Sequence, residues 1–389
     1  MRNKKNKWQV FPASLLLTFL IFTSMFGFIT ACRKSVDIAP EKEDRKIIAY
    51  LAGWYGIINP DTIPVQQLTH INYAFALIGD GEIVTGHAND EENLGILKDL
   101  KERSNKLKII ISIGGWEGSG GFSDMALTKT SRSKFIESVI AFLKKYNLDG
   151  IDIDWEYPGL PGYGNTHRPE DKVNFTYLLQ ELRERLNQEE VVDSKGYILT
   201  IAAASFYNYL VNTEMGKIHE YLDYINPMTY DFAGEWTANT GHHTNLYIPD
   251  SHPFAMSAHT AVTFYLNKGV PKEKIILGIA FYGRGWKDVR DINNGLYQPG
   301  TGISSEFLYK TMVQEYINKN GYTRYWDESA KAPYLWNQNE KCFISYEDEE
   351  SIYAKCNYIK SKELGGAMFW ELHGDYQNTL LNKIYENLK

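Results

Sequence analysis

Cysteine is scarce in this chain, with three among 389 residues, which is too few for the disulfide framework of a small secreted scaffold. Two of them, Cys342 and Cys356, read as separate buried thiols, although export would allow them to pair. No Cys/His cluster has zinc-ligand spacing, so neither a metal nor a cofactor is expected. An excess of basic charge is also missing. Lys and Arg total 41 against 48 Asp and Glu, for a net charge of −7, and without a basic footprint a nucleic-acid partner is disfavoured. The sequence contains no solenoid-type repeat and no low-complexity tract.

One cluster of positive charge stands without acidic neighbours. Arg2, Lys4, Lys5 and Lys7 precede an apolar stretch from Val10 to Ile29, the basic-then-apolar pattern of a targeting segment. The stretch is also long enough to cross a bilayer, so an uncleaved anchor is the alternative. Ile29-Thr30-Ala31-Cys32 resembles a bacterial lipobox, which implies cleavage before Cys32, lipidation of that residue and an exported, membrane-anchored product. Residues 33–45 are polar and charged and contain Pro40, as expected of a tether.

From Lys46 onward, apolar β-rich segments alternate with helical patterns. Candidate strands are 46–52, 69–76, 107–113, 150–156, 197–204, 224–230, 274–281 and 365–370. Helical spacing of Phe135, Val139, Phe142 and Leu143 marks 134–146, and 174–186 reads similarly. Eight strands alternating with helices predict either a (β/α)8 barrel or a doubly wound sheet. Some eighty residues separate the last two strands, far more than an ordinary connection. Within them 345–362 reads as a helix, and the aromatic-rich 285–344 as a small α+β insertion.

The most informative run is Asp149-Gly150-Ile151-Asp152-Ile153-Asp154-Trp155-Glu156. In a strand, Asp152, Asp154 and Glu156 would stand in a row about 6.6 Å apart, with Ile151, Ile153 and Trp155 on the opposite face. Unpaired buried charges are costly, so such a row must share protons, bind a metal or face a polar site. Crowded carboxylates raise one another's pKa and keep a protonated acid available near neutrality. Asp149 has the wrong parity and reads as structural.

This run matches the DxxDxDxE motif of glycoside hydrolase family 18, the chitinases and their relatives, and the rest of the chain is similar in order. Ser112-Ile113-Gly114-Gly115-Trp116 resembles the SxGG motif, Met228-Thr229-Tyr230-Asp231 the MxYD motif, and Phe281-Tyr282-Gly283-Arg284 the FYGR element at the end of strand seven. Trp370 matches the tryptophan beneath the −1 sugar. The resemblance spans residues 46–375 and implies a TIM barrel with the insertion between strands seven and eight. It implies hydrolysis of chitin or another N-acetylglucosamine-containing glycan by a retaining, substrate-assisted mechanism. Glu156 would be the general acid and base, Asp154 would orient the substrate's acetamido group, Asp152 would share its proton, and Tyr230 would donate to the acetamido oxygen. Tyr50, Ser112, Gly115, Trp116, Tyr157, Met228, Asp231, Tyr282, Arg284 and Trp370 would bind substrate, with Tyr50 and Ser112 sitting beneath the acids and accepting or relaying hydrogen bonds. Trp54, Trp236, Trp286 and Trp326 lie near predicted loops and are further candidates for sugar contact. The adjacent His242 and His243 do not face one ion from a regular element and read as structural. An endo-β-N-acetylglucosaminidase acting on glycoprotein glycans and an inactive chitin-binding lectin are the alternatives.

Overall fold

The computed structural model describes residues 45–249, 252 and 256–389. The expected leader, Cys32 and the tether up to residue 44 lie outside the described residues. Eight strands form the body: β1 (Lys46–Ala52), β2 (His70–Gly79), β3 (Lys108–Gly114), β4 (Gly150–Asp154), β5 (Ile198–Ala204), β6 (Tyr224–Met228), β7 (Ile276–Ala280) and β8 (Gly366–Trp370). They pair in parallel in the order β6-β5-β4-β3-β2-β1-β8-β7. A parallel bridge between Ile225 and Ile275 brings β7 back to β6 and closes the circle. The protein is therefore a (β/α)8 barrel, not a doubly wound sheet.

Both faces of these strands are buried, which is why they read as nearly continuous apolar runs. Alternate residues separate two cores. Ile47, Ala49 and Leu51 of β1 pack outward with Ile151, Ile153 and the helices, whereas Ile48 and Tyr50 point into the lumen with Ile110, Tyr224 and Met368. The helix Lys129–Tyr146 begins five residues before the apolar pattern does. Thr128 caps it, accepting the Ser131 N–H at 3.1 Å, and Asn147 ends it in the left-handed conformation. The helix Asp171–Asp193 likewise exceeds its pattern at both ends.

The insertion is a five-stranded antiparallel sheet in the order Thr301–Leu308, Tyr282–Lys287, Cys342–Ser345, Ala332–Asn337, Thr323–Asp327. Its core is Trp286, Val289, Leu296, Tyr334, Trp336 and Phe343. One expectation needs correction here. Tyr282 and Arg284 do not end the seventh barrel strand, because Arg284 pairs with Ser345 as part of the insertion's own sheet. Among the described residues, Cys342 and Cys356 are both buried and form no disulfide.

Asp149 fastens three strands at the base of the barrel. Its carboxylate accepts the Ile109 N–H at 2.8 Å and Lys101 Nζ at 2.8 Å, with Lys195 Nζ at 3.7 Å, while its backbone pairs with Ile109 and Ile198. Asp149→Ala should therefore lower the unfolding free energy by about 2–4 kcal/mol, since it orphans a buried N–H and leaves two lysines without their carboxylate. Urea denaturation measures this directly. A folded variant of normal stability that had lost function would contradict the structural assignment.

Candidate active site

The carboxylate row lies at the C-terminal end of β4, the end where barrels of this type carry their sites. Parity places Asp152 and Asp154 in the lumen and sends Ile151, Ile153 and Trp155 outward, where Trp155 stacks on Phe122 at a centroid distance of 5.2 Å. The strand stops at Asp154, two residues sooner than expected, so Glu156 is not the third member of a ladder. Its N–H turns to Ser119 Oγ at 2.9 Å and its carbonyl accepts Asn165 Nδ2 at 3.0 Å. Ser119 also donates to the Gly115 and Asp154 carbonyls, tying the loop after β3 to the end of β4.

Asp152 is wholly buried and ringed by donors from four other strands. Tyr50 Oη at 2.8 Å and Ser112 Oγ at 2.7 Å share one oxygen, and Thr200 Oγ1 at 2.6 Å and Asn226 Nδ2 at 3.3 Å share the other. Burial pushes its pKa up while those four bonds oppose the rise. Tyr50 and Ser112 were expected to bind substrate. The structure keeps them beneath the acids, as expected, but buries both with their hydroxyls committed to Asp152. Gly115 is corrected in the same way. At φ +77° it packs so closely that a Cβ would meet the Phe75 ring at 2.5 Å, and its N–H donates to the Asp154 carbonyl, so the tight turn accommodates protein rather than ligand.

Above Asp152 the carboxyls are less well satisfied. Asp154 Oδ1 is buried without a hydrogen-bond partner among the described residues. Burial, then Glu156, then Asp152 push the Asp154 pKa well above the usual carboxylate range. Burial lifts Glu156 to about 7, opposed by a hydrogen bond from Tyr157 and assisted by Asp231. Both neighbouring carboxyls are thus biased toward the protonated acid, Glu156 into the neutral range. The Tyr230 hydroxyl meets only the Met368 sulfur, at 3.9 Å, among the described residues. Burial and the nearby Asp154 raise its pKa, so it remains a neutral donor.

Asp231 behaves oppositely. Although burial alone would raise its pKa, His243 and a two-pronged contact from Arg284, at 2.8 and 2.9 Å, hold it well below the usual carboxylate range. Asp231 itself sits at φ +58°. The Arg284 guanidinium lies over the rings of Tyr282 and Trp236. Its hydrogen bonds to Asp231 already occupy one edge, so any sugar contact would use the remainder. Met228 is partly buried against the lumen cluster.

Flat aromatic surfaces flank the acids. Trp370 stacks with Phe75 at 5.5 Å and 17° and lies 5.6 Å from Tyr50 and 6.0 Å from Trp54. Trp116 is half exposed and adjoins Tyr157 at 6.3 Å and Tyr163 at 6.1 Å. Trp54 and Trp236 are exposed, whereas Trp286 is buried in the insertion core and cannot touch a ligand. Trp326 Nε1 is bonded to Glu328. The two histidines face different acids, His242 at 3.2 Å from Asp327 and His243 at 3.7 Å from Asp231. Sequence reasoning missed Thr200, Asn226, Ser119, Asn165 and Phe75. Thr200 and Asn226 were detectable as polar residues at inward parity in apolar strands.

Residues 46–375 match the family model described as Glycosyl hydrolases family 18. Chitinase A1 of Niallia circulans is 41% identical over 96% of this chain, which spans 62% of that relative's length. A solved glycoside hydrolase family 18 N-acetylglucosaminidase from Paenibacillus barengoltzii superposes with TM-score 0.82 at 42% identity, covering 89% of this chain and 100% of its own. Chitinase ChiA74 from Bacillus thuringiensis superposes with TM-score 0.85 at 37% identity, over 89% of this chain and 70% of its own.

The raised carboxyls make stability depend on pH. Folded Glu156 keeps its proton up to about 7, against an ordinary value of 4.5. Between those values the folded state binds more protons than the unfolded one, so stability falls as pH rises through the window. Asp154 acts in the same direction. The urea midpoint should decline across this range, and Glu156→Gln should make the decline shallower. An equally steep decline in the variant would show that Glu156 is not protonated there.

Proposed function

The chain belongs to glycosyl hydrolases family 18, and from that premise we propose that it hydrolyses β-1,4-linked N-acetylglucosamine chains with retention of configuration, using the substrate's own acetamide as nucleophile. The observation that carries this reading is the pair of buried acids Asp154 and Glu156, both held toward protonation, beside the neutral hydroxyl of Tyr230 and the flat face of Trp370.

Protonated Glu156 donates to the leaving glycosidic oxygen and afterwards takes a proton from water, assistance worth about 10²–10⁴-fold. Family 18 is an exception to the rule that a second carboxylate attacks the sugar. The acetamido oxygen attacks the anomeric carbon instead. Asp154, with an oxygen that no described protein group engages, accepts the acetamido N–H and stabilises the positive charge that develops. Asp152 lies next along the strand and shares the proton released as Asp154 takes up that role. Tyr230 holds the acetamido oxygen in line, and Trp370 offers an apolar face to the −1 pyranose. The full-length similarity to an N-acetylglucosaminidase favours one further possibility for the product, release of single sugars from a chain end, and product analysis on oligomers separates it from internal cleavage.

The enzyme would act outside the cell, anchored through Cys32. The basic-then-apolar lead and the small residue before Cys32 support this. So does the similarity to a multi-modular Paenibacillus chitinase expressed on the bacterial cell surface, 43% identical over 88% of this chain and 42% of its own.

Glu156→Gln should bind oligosaccharide nearly as wild type while turnover falls by at least about 10²-fold. In the wild type, activity should decline as pH rises past about 7, where Glu156 loses its proton. Time-resolved NMR should show the β-anomer as first product, and glucosamine at −1 should block cleavage, because an ammonium cannot attack. An initial α-anomer would refute the internal nucleophile.

Cys32→Ala should abolish lipid labelling in a bacterial host and leave the precursor unprocessed or cleaved elsewhere. Unchanged lipid incorporation would exclude Cys32 as the anchor.

A further inference from the structure

One fully buried ion pair plays no part in this chemistry. The helix Glu349–Lys362, which precedes β8, carries Lys355, whose ammonium contacts the carboxylate of Glu347 with both side chains shut away from solvent. Lys355 Nζ also donates to the Thr244 carbonyl at 2.6 Å and to its hydroxyl oxygen at 2.7 Å. The Thr244 hydroxyl lies 2.9 Å from Glu347 Oε1 and 3.1 Å from the carbonyl of Thr229, the residue before Tyr230. Ser351 Oγ donates to the other Glu347 oxygen at 2.5 Å.

The neighbouring residue continues the contact. The His243 carbonyl accepts the Phe232 N–H at 3.0 Å, its N–H donates to Ser345 Oγ at 2.9 Å, and its ring faces Asp231. Tyr230 and Asp231 thus rest on residues 243–244, and those residues are held by Lys355 from behind. Buried ion pairs are weak sources of stability, since apolar replacements are often as good or better, and their better-attested use is to fix register.

We propose that Lys355 is a positioning residue: with Glu347 it sets the height of Thr244, and through Thr244 the placement of Tyr230 and Asp231 against the carboxyls of β4. The consequence for turnover rests on the reading of Tyr230 as the group that aligns the acetamide.

The test uses Lys355→Met combined with Glu347→Gln, which removes both charges without leaving either buried alone, together with Thr244→Val and Thr244→Ser. Amide hydrogen exchange at Phe232 reads the brace, and steady-state kinetics on N-acetylglucosamine oligomers read its effect. A misplacement on the order of 1 Å can cost about 10²-fold, so the double variant should lose about tenfold or more in kcat with KM changed by less than about threefold. Phe232 should exchange faster. Thr244→Val should reproduce both effects, and Thr244→Ser, which keeps the hydroxyl, should restore them. A folded double variant with wild-type kcat, or with unchanged Phe232 exchange, overturns the proposal. Should the double variant fail to fold, Thr244→Val decides by the same two readouts. A wild-type enzyme that releases nothing from the oligomers would refute the hydrolytic reading instead, and Phe232 exchange would still decide whether the brace exists.

Discussion

The site depends on one act of burial, the removal of the Asp152 carboxylate from water into the barrel lumen. Desolvating such a charge costs several kcal/mol, and each hydrogen bond to it returns about 1.5–3 kcal/mol. Four donors from β1, β3, β5 and β6 surround it. Only a closed barrel brings those strands around a residue of β4, so the topology and the electrostatics of the site are one constraint. An open sheet would leave Tyr50 and Asn226 on strands remote from β4.

Above that fixed base, the site is arranged by contrast. Asp152 is fully engaged, Asp154 has an oxygen without a partner, Glu156 is held toward protonation, and Asp231 is kept ionised by Arg284 and His243. Four carboxyl groups within one small volume therefore differ in state because their neighbours differ. Tyr230 stands between the protonated and ionised sides. The buried Lys355–Glu347 pair behind it gives the backbone that carries Tyr230 and Asp231 a support that does not reach the substrate.

Much of this was legible in the sequence, and the reason is parity. Alternation separated Asp152 and Asp154 from Ile151 and Ile153 correctly, and the alternation of strands and helices limited the fold to two classes until the motifs chose between them. What could not be read was where local order gives way to contacts from distant loops. The strand ends at Asp154 because Ser119 and Asn165 capture the Glu156 peptide groups, and neither carries a signal along the chain. Trp286 read as an aromatic near a loop, yet strand pairing buries it. Thr200 and Asn226 had the right parity but not the charge that draws attention to an acid. Tyr50 and Ser112 were placed correctly beneath the acids, but their complete burial follows from packing that no spacing rule reports.

The first strand of the insertion, Tyr282–Lys287, presents Tyr282, Arg284 and Trp286 on one face, and Arg284 is the cation that keeps Asp231 ionised. The boundary that composition suggests, near residue 285, therefore passes through the electrostatic centre of the cleft. A scaffold exchanged at that boundary would keep a complete barrel but cut the first strand of the small sheet in two, and the arginine would remain with the barrel without the strand partner that orients it. The unit that can be transplanted between relatives is thus set by where a charge is held, and it begins at the last residue of β7.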